Sequence, residues 1–394
     1  MPSFQKYKTK DGEKWMFKMD VGIDPATGKR KTTTRRGFKT KKEAQLAAAK
    51  LYDEINNGGY VKDTNILFKD FAQEWLAIYS ETAKISTIRA RKHELGHLMR
   101  YFGNLKLKDV TRKMYQDMLL DLKKKGYADN TLDGIHTTGR MIFKKAMELE
   151  LINSNPTEYA KVPKQKKTVE DIESGNKDMK FLEKHELALF LKTAQEQGLA
   201  MDYVVFSTLA YTGMRLGELL ALQWKDINFK EHTIAITKTL YSPRNNERYY
   251  QLLPPKTQGS IRTIKVDPNI ISLLKKHKAE QNEIKLRMGE LYHDLGFVFA
   301  RPSGFPEVPK KIEIRMKRLL RIANIHKHVT PHSLRHTHTS LLIEAGVGIK
   351  EIQQRLGHAD IETTMNIYAH LTKDLEERAS QKFSELMSNF IKNL

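Results

Sequence analysis

The chain has 394 residues, of which 40% are hydrophobic and 29% charged, so it can form two or three domains with real cores. Its 68 Lys and Arg exceed its 47 Asp and Glu, and the net charge of +21 favours a polyanionic partner, above all nucleic acid. The polar start, Met1 to Tyr7, and the lack of roughly 18 consecutive apolar residues argue against a secretory signal and a membrane span, and the absence of cysteine excludes disulfides and thiol nucleophiles. We therefore expect a cytoplasmic protein.

The first sixty residues predict a small sheet followed by one helix. Apolar and polar residues alternate over 14–21, as in a half-buried strand, and a basic, threonine-rich strand follows at 29–38. Thr40 and Glu43 have the spacing of a capping box at the start of a helix. These sixty residues contain fourteen Lys and Arg but only seven Asp and Glu. The basic residues either contact DNA or merely keep the surface of the module solvated. The candidates for DNA contact are Lys29, Arg30, Lys31, Arg35 and Arg36.

Four amphipathic patterns between about Leu67 and Ile152 predict an all-helical bundle. We expect Thr111 to cap the third helix and Asn130 to cap the fourth. Basic residues lie between the apolar ones, where they either face phosphates or form an ordinary solvated face. The candidates for DNA contact in this block are Arg89, Arg91 and Lys92.

The second half of the chain predicts a larger domain of mixed structure. Residues 161–180 are polar without an apolar period and indicate a linker, and the domain that follows is mostly helical, with strand-like stretches at 233–239 and 261–266. The tail has apolar residues every three or four positions, typical of an amphipathic helix without a partner of its own. The predicted division is 1–60, 64–160, linker 161–180, 181–372 and tail 373–394. The fold class is multidomain, mainly α with small β-sheets.

Three segments of the large domain carry residues that suit phosphodiester chemistry. The first, TGMRLGELLAL at 212–222, places Arg215 at a turn into a helix, with Glu218 three residues later in position to orient it. Taken alone, this pattern is more typical of a surface Arg–Glu pair on a helix.

The second segment, HSLRHTH at 332–338, places His332 and Arg335 three residues apart, so that both point the same way on a helix. The guanidinium fork of arginine matches two phosphate oxygens and stays charged. His332 and His336 also have the spacing of a zinc-binding helix, but Ser333 stands where the HExxH pattern has glutamate. Phosphate binding is therefore favoured over metal binding.

The third segment is LGHAD at 356–360, followed by TTMNIYAH at 363–370. Gly357 suits a helix end, and Tyr368 comes ten residues after His358 on the next predicted helix. A single tyrosine on an amphipathic helix is most often structural. Two arginines, two histidines and a tyrosine in one basic domain, however, supply a nucleophile and a charge clamp for a phosphoryl group without a metal.

These motifs and their order resemble the tyrosine recombinase (phage integrase) family. The resemblance covers roughly 181–372 and rests on TGMRLGE, HSLRHT and LGH. Residues 15–55 resemble the arm-binding domain of integrases of phages and integrative elements, and the helical block resembles their SAM-like core-binding domain. The resemblance implies a β-rich arm-binding module, a helical core-binding bundle and a mixed α/β catalytic domain.

The resemblance also implies a role for each motif residue. Tyr368 would attack a DNA phosphate and leave a 3'-phosphotyrosine and a free 5'-hydroxyl. Arg215 and Arg335 would neutralise the non-bridging oxygens, and Lys256, in PPKTQGS, would protonate the leaving oxygen. His332 would contact the phosphate or help the tyrosine lose its proton, and His358 would donate a further hydrogen bond. No cofactor, neither metal nor ATP, is implied.

The function implied is site-specific recombination that integrates and excises a mobile element. The implied partners are core-type and arm-type sites on double-stranded DNA, three further copies of the chain in a homotetramer, and DNA-bending and excisionase proteins. Three alternatives stay open: a type IB topoisomerase or Xer-like resolvase, a metal-dependent nuclease or transposase, and a DNA-binding regulator with a dead site. The basic N-terminal module favours an integrase. We hypothesise that the tail docks on a neighbouring protomer rather than folding back on its own domain.

Overall fold

The computed structural model describes residues 2–9, 12–23, 30–56, 65–164, 181–255 and 258–357, with backbone alone at 21–23, 30–31, 54–56 and 258. The chain divides into two compact units, Met1–Lys167 and Thr168–Leu394. Both are mainly helical with small antiparallel sheets, which confirms the predicted fold class. Within the described ranges, no helix has the length and apolar character that crossing a membrane requires.

The first unit begins with a three-stranded antiparallel sheet and a helix. The sheet has the order β1-β2-β3, and its elements are β1 (Ser3–Thr9), β2 (Gly12–Ile23) and β3 (Arg30–Phe38), followed by α1 (Lys41–Asn56). The two predicted strands and the helix are confirmed, whereas β1 has no counterpart among the predictions. Its sequence, SFQKYKT, has one aromatic residue on each face, with Phe4 beside Lys6 and Lys8, and therefore lacks a clear apolar period of two.

Side chains of α1 close the small core beneath this sheet. Phe17 and Met19 of β2 are buried against Ala44, Ala48 and Leu51 of the helix. The start of the helix is held as predicted, because Thr40 Oγ1 accepts a hydrogen bond from the Glu43 amide at 3.1 Å. The Glu43 carboxylate reaches back to the Lys39 amide at 2.9 Å, one residue before the capping threonine.

Four helices follow in the first unit, as predicted. They are α2 (Phe68–Thr82), α3 (Ile85–Phe102), α4 (Arg112–Lys124) and α5 (Asp129–Glu148), and they enclose a core rich in phenylalanine and leucine. The Thr111 cap is confirmed, since its side chain accepts from the Met114 amide at 3.2 Å. The predicted Asn130 cap is wrong: α5 begins one residue earlier, and Ala128 occupies the capping position.

The second unit combines seven described helices with two small antiparallel sheets. The helices are α6 (Lys184–Gln197), α7 (Asp202–Thr212), α8 (Leu216–Leu220), α9 (Pro268–Met288), α10 (Pro309–Ile322), α11 (Ser333–Glu344) and α12 (Ile349–Leu356). The strands are β4 (Ile227–Asn228), β5 (Thr233–Ile236), β6 (Thr239–Tyr241), β7 (Gln251–Leu253) and β8 (Arg262–Lys265), in the orders β4-β5-β8 and β6-β7. Both predicted strand regions are confirmed, although the first divides into β5 and β6.

Helix α7 forms the centre of this second unit. Nine of its eleven residues are buried, so it is enclosed on every side and packs against α6, α9 and α11. Helix α11 is also largely buried, through polar as well as apolar side chains. The C-terminal end of α7 and the first turns of α11, which carry the first two sequence motifs, are therefore held rigidly in the core.

Candidate active site

The first motif is a sharp turn between α7 and α8. Gly213 ends α7 with a φ of +62°, and a Cβ at this position would lie 2.6 Å from both His338 Cδ2 and Leu356 Cδ2. Glycine is therefore required by both the backbone conformation and the space. Arg215 is then the capping residue of α8, and its amide donates to Glu218 Oε2 at 3.0 Å while its Nη1 donates to Oε1 at 2.7 Å. The predicted Arg215–Glu218 pair is confirmed.

Glu218 holds a second arginine besides Arg215. Its side chain is only 3% exposed, and its Oε2 also accepts from Arg262 Nη2 at 3.0 Å. Burial on its own would raise the pKa of Glu218, but the charges and hydrogen bonds of Arg262 and Arg215 bring that pKa below its usual range. The carboxylate therefore stays ionised and fixes two guanidinium groups at once.

Arg335 of the second motif lies deeper, with only 1% of its surface exposed. Its Nη1 donates to the Gly213 carbonyl at 2.9 Å and its Nη2 to the Leu356 carbonyl at 2.7 Å, which joins all three motifs. Burial, followed by the positive charges of Arg215 and Arg262, lowers the pKa of Arg335 to about 9, although Glu218 opposes this. The group remains charged at neutral pH in a site already rich in positive charge.

His332 occupies the capping position of α11 and reaches the surface. Its ring is perpendicular to that of His336, with the ring centres 5.1 Å apart. Loss of surrounding water, followed by the charges of His336, Arg335 and Arg215, lowers the pKa of His332 to about 4. The ring is therefore neutral at physiological pH and is a weaker base than an ordinary histidine. Among the described residues, these two histidines do not belong to any group of three or more side chains that could hold a metal ion.

The third motif begins at the end of α12. Gly357 has a φ of +66° and ends the helix, as predicted. A Cβ at Gly357 would lie 2.8 Å from the Gly259 carbonyl oxygen and 3.1 Å from Ser260 Cα, so the two backbones are in close contact. The predicted catalytic residues Lys256, His358 and Tyr368 lie outside the described residues.

Three further residues join this network without having been predicted from the sequence: Arg262, His338 and Arg355. His338 Nδ1 bonds to the Ala210 carbonyl at 2.8 Å, and its Nε2 faces Arg355 Nε at 3.1 Å. Sequence signals could have revealed two of them, His338 and Arg262. His338 follows Arg335 by three residues and lies on the same buried face of α11. Arg262 precedes the buried Ile264 by two residues on β8 and therefore lies on the same face of that strand.

The basic residues predicted to bind DNA through the N-terminal sheet are only partly described. Arg35 and Arg36 are exposed on β3, and the Arg36 guanidinium carbon lies 5.9 Å from the centre of the Tyr7 ring. The backbone of Arg30 and Lys31 belongs to β3, whereas Lys29 lies outside the described residues. The exposed arginines have the accessibility that phosphate contacts require.

The three basic candidates on α3 differ from one another. Arg89 and Lys92 are exposed, whereas Arg91 is largely buried. Its Nη1 donates to Glu94 Oε2 at 2.5 Å and to Thr138 Oγ1 of α5 at 2.9 Å. These contacts favour a structural role for Arg91, which links α3 to α5, over a contact with DNA.

Three sequence models match successive parts of the chain. The Arm DNA-binding domain matches residues 4–55, the Phage integrase N-terminal SAM-like domain matches 67–122, and the Phage integrase family matches 180–374. The family match includes all three motifs described above, together with the residues that contact one another around Glu218 and Arg335.

Relatives and solved structures agree with these matches. The integrase of Staphylococcus phage L54a is 31% identical, and the alignment covers 86% of this chain and 98% of that relative. The ICEBs1 integrase of Bacillus subtilis is 27% identical, and the alignment covers 95% of this chain and 98% of that relative. The fold resembles that of the Tn1549 transposon integrase in complex with transposon right end DNA, with a TM-score of 0.66, 20% identity, and 81% of this chain and 100% of that chain covered. It also resembles a lambda integrase tetramer bound to a Holliday junction, with a TM-score of 0.55, 17% identity, and 92% and 94% covered. The chain therefore belongs to the phage integrase family of tyrosine recombinases.

Proposed function

We propose that this chain integrates and excises a mobile element by site-specific recombination, with Tyr368 as the nucleophile that attacks the DNA phosphate. As a tyrosine recombinase it breaks and rejoins DNA. The observation that carries the proposal for the site is the placement of Arg215 and Arg335, whose guanidinium groups are fixed by Glu218 and by backbone carbonyls of the other motifs. Such a rigid, positively charged site suits a phosphate whose charge grows during the reaction.

In the proposed reaction, the Tyr368 oxygen forms a bond to phosphorus as the bond to the 5'-oxygen breaks. The products are a 3'-phosphotyrosine and a 5'-hydroxyl, and the reverse attack by a 5'-hydroxyl from another strand rejoins the DNA. One phosphodiester replaces another, so the cycle needs no ATP and no oxidant or reductant. Covalent catalysis of this kind divides one difficult step into two easier ones.

The other motif residues share the charge and proton transfers. Arg215 and Arg335 neutralise the non-bridging oxygens, and Lys256 gives its proton to the leaving 5'-oxygen. His332 contacts the phosphate as a neutral ring, because its pKa of about 4 leaves it uncharged at working pH and makes it a weak acceptor for the proton that the nucleophile loses. His358 donates a hydrogen bond to the phosphate.

We extend the proposal to assembly and domain roles. Residues 1–60 bind arm-type sites through exposed residues such as Arg35 and Arg36, residues 64–160 bind core-type sites, and 181–372 hold the catalytic site. The chain acts as a homotetramer through a Holliday junction in the cytoplasm of a bacterial host, assisted by DNA-bending and excisionase proteins. The tail, 373–394, lies outside the described residues, and its docking on a neighbouring protomer is part of the same proposal.

One observation separates an integrase from the simpler relatives that share its chemistry. The match to an Arm DNA-binding domain over residues 4–55 covers the strand-rich module. A Xer-like resolvase or a type IB topoisomerase needs no such module for its chemistry, so the match favours an integrase.

The deciding experiment is incubation of the full chain with a nicked suicide DNA that carries a core-type site. We expect a covalent adduct that disappears in Tyr368→Phe and persists in Tyr249→Phe, a matched control because Tyr249 is an exposed tyrosine of the same unit. The same incubation in excess EDTA should leave the adduct unchanged. An adduct that survived Tyr368→Phe would refute the nucleophile, the lack of any adduct with the wild type would favour a regulator with a dead site, and loss of cleavage in EDTA would favour a metal-dependent nuclease.

A further inference from the structure

The buried guanidinium of Arg262 binds three separate segments of the second unit. Its Nη2 donates to Glu218 Oε2 at 3.0 Å, its Nη1 to the Ser260 carbonyl at 3.0 Å and its Nε to the Arg355 carbonyl at 2.7 Å. The side chain is only 6% exposed. Its first partner, Glu218, also holds Arg215. One side chain of β8 therefore joins the turn just before its own strand to two parts of the chain that are distant in sequence, 44 and 93 residues away.

The other two partners adjoin predicted catalytic residues in the sequence. Ser260 comes four residues after Lys256, and Arg355 comes three residues before His358. Arg262 thus holds the chain that leads from the proposed general acid and the chain that leads to the proposed hydrogen-bond donor. Few side chains could do this, because three directed bonds from one plane need the donor fork of arginine.

Two more contacts join β8 and α12 independently of Arg262. Arg355 Nη1 donates to the Lys265 carbonyl of β8 at 3.1 Å. The two elements thus exchange hydrogen bonds, because Arg262 of β8 donates in turn to the Arg355 carbonyl of α12. The close approach of Gly357 to the Gly259 carbonyl brings the same two segments together at their ends. Together these contacts fix the strand and the helix end, so Arg262 acts within a rigid frame.

We propose that Arg262 is a positioning residue that sets the Lys256 segment against the phosphate gripped by Arg215, an inference that rests on the proposed function. A general acid must come within about 2.6–3.2 Å of the atom that it protonates. A displacement of about 1 Å can slow such a step by about 100-fold. The bond from Arg262 to the Ser260 carbonyl anchors the C-terminal side of the Lys256 segment, and the bond to Glu218 ties that anchor to Arg215.

Arg262→Lys is the most informative substitution. Lysine keeps a positive charge for Glu218, which protects the fold from an unpaired buried carboxylate. Its single nitrogen cannot also hold the Ser260 and Arg355 carbonyls in the geometry of the arginine fork. The variant therefore separates the ion pair from the positioning of the neighbouring segments.

The test compares two nicked suicide substrates, one with the natural 5'-bridging oxygen and one with sulfur at that position. A thiolate leaves without a proton, because the pKa of a thiol is only about 8.5, whereas an alkoxide needs the general acid. We expect Arg262→Lys to form the Tyr368 adduct about 10- to 100-fold more slowly with oxygen, and at a rate close to that of the wild type with sulfur. Affinity for the core site should not change, and Lys256→Ala should be slowed no further when Arg262→Lys is added.

The matched control is Arg315→Lys. Arg315 also makes a buried ion pair, with Asp202 at 3.0 Å, and donates to the Ala200 carbonyl at 2.7 Å. The Arg315→Lys variant should lose as much thermal stability as Arg262→Lys, but the ratio of its cleavage rates on the oxygen and sulfur substrates should equal that of the wild type. Equal slowing of Arg262→Lys on both substrates, or no slowing on either, would overturn the positioning role while leaving Tyr368 as the nucleophile. A wild-type chain that formed no Tyr368 adduct would instead overturn the proposed function and this inference with it.

Discussion

Protonation of His338 should destabilise the second unit at mildly acidic pH. The residue is 7% exposed, one ring nitrogen bonds to the Ala210 carbonyl, and the other faces the Arg355 guanidinium. Burial, followed by the charge of Arg355, lowers the pKa of His338 from 6.5 to about 4, although the bond to Ala210 opposes this. An added proton on the ring would have to point at a positive charge.

The magnitude follows from the difference between the folded and unfolded pKa. Because folding lowers the pKa of His338, the neutral ring is the form that the fold favours. The stabilisation is complete above pH 6.5 and is lost as the pH falls towards 4. The whole effect is about 3 kcal/mol, since one pKa unit is worth about 1.4 kcal/mol, and about 2 kcal/mol is lost by pH 5.

His338→Gln removes the titration while keeping one donor and one acceptor in the side chain. Hydrogen exchange of peptides from α7 and α11 would be measured for the wild type and the variant at pH 7.5 and at pH 5. Comparison at the same pH cancels the intrinsic exchange rates and the titration of the other histidines. We expect the ratio of the two exchange rates to change by about 30-fold between the two pH values, in the direction of faster wild-type exchange at pH 5. The same ratio at both pH values would refute the lowered pKa as a source of stability.

Two further substitutions probe the contacts around the motifs. Glu218→Gln leaves Arg215 and Arg262 without their shared carboxylate, so we expect a loss of about 3–5 kcal/mol in the free energy of unfolding and slower formation of the Tyr368 adduct. Thermal unfolding measures the first effect and suicide cleavage the second. Unchanged values would show that the ion pairs of Glu218 are dispensable. Gly357→Ala should cost about 1–2 kcal/mol for its left-handed backbone and also slow cleavage, because its Cβ meets the Gly259 carbonyl. Gly346→Ala, at a φ of +79° with open space around the new Cβ, is the control: it should show the backbone cost alone, and equal effects of the two alanines on cleavage would contradict the argument.

Local patterns predicted most of the fold because each depends on neighbours in the sequence. The alternation in β2, the Thr40 and Thr111 caps and the glycine end of α12 are all set within a few residues. The pattern failed at α5, where Ala128 takes the capping position although Asn130 has the better side chain. Packing of the whole helix, rather than the capping preference alone, fixes where it begins.

Spacing predicted the site residues but not their surroundings. The spacing did not predict that His332 and Arg335 differ in depth, since Arg335 is buried while His332 reaches the surface. His332 has helical dihedrals, with a φ of −68° and a ψ of −29°, so its exposure follows from its place at the end of α11. The bonds of Arg262 join segments 44 and 93 residues away, which no local pattern records.

The charge around the motifs explains why the second unit should prefer a phosphate at this place. The Glu218 carboxylate is shared by Arg215 and Arg262, and burial together with the positive charge that remains lowers the pKa of Arg335, although that group stays protonated. Arg262 and Arg335 are buried, so the repulsion between these two groups is screened less than it would be in water. An anion beside the two motif arginines would relieve it. The same repulsion therefore strengthens binding of a phosphate, most of all in a transition state with added negative charge.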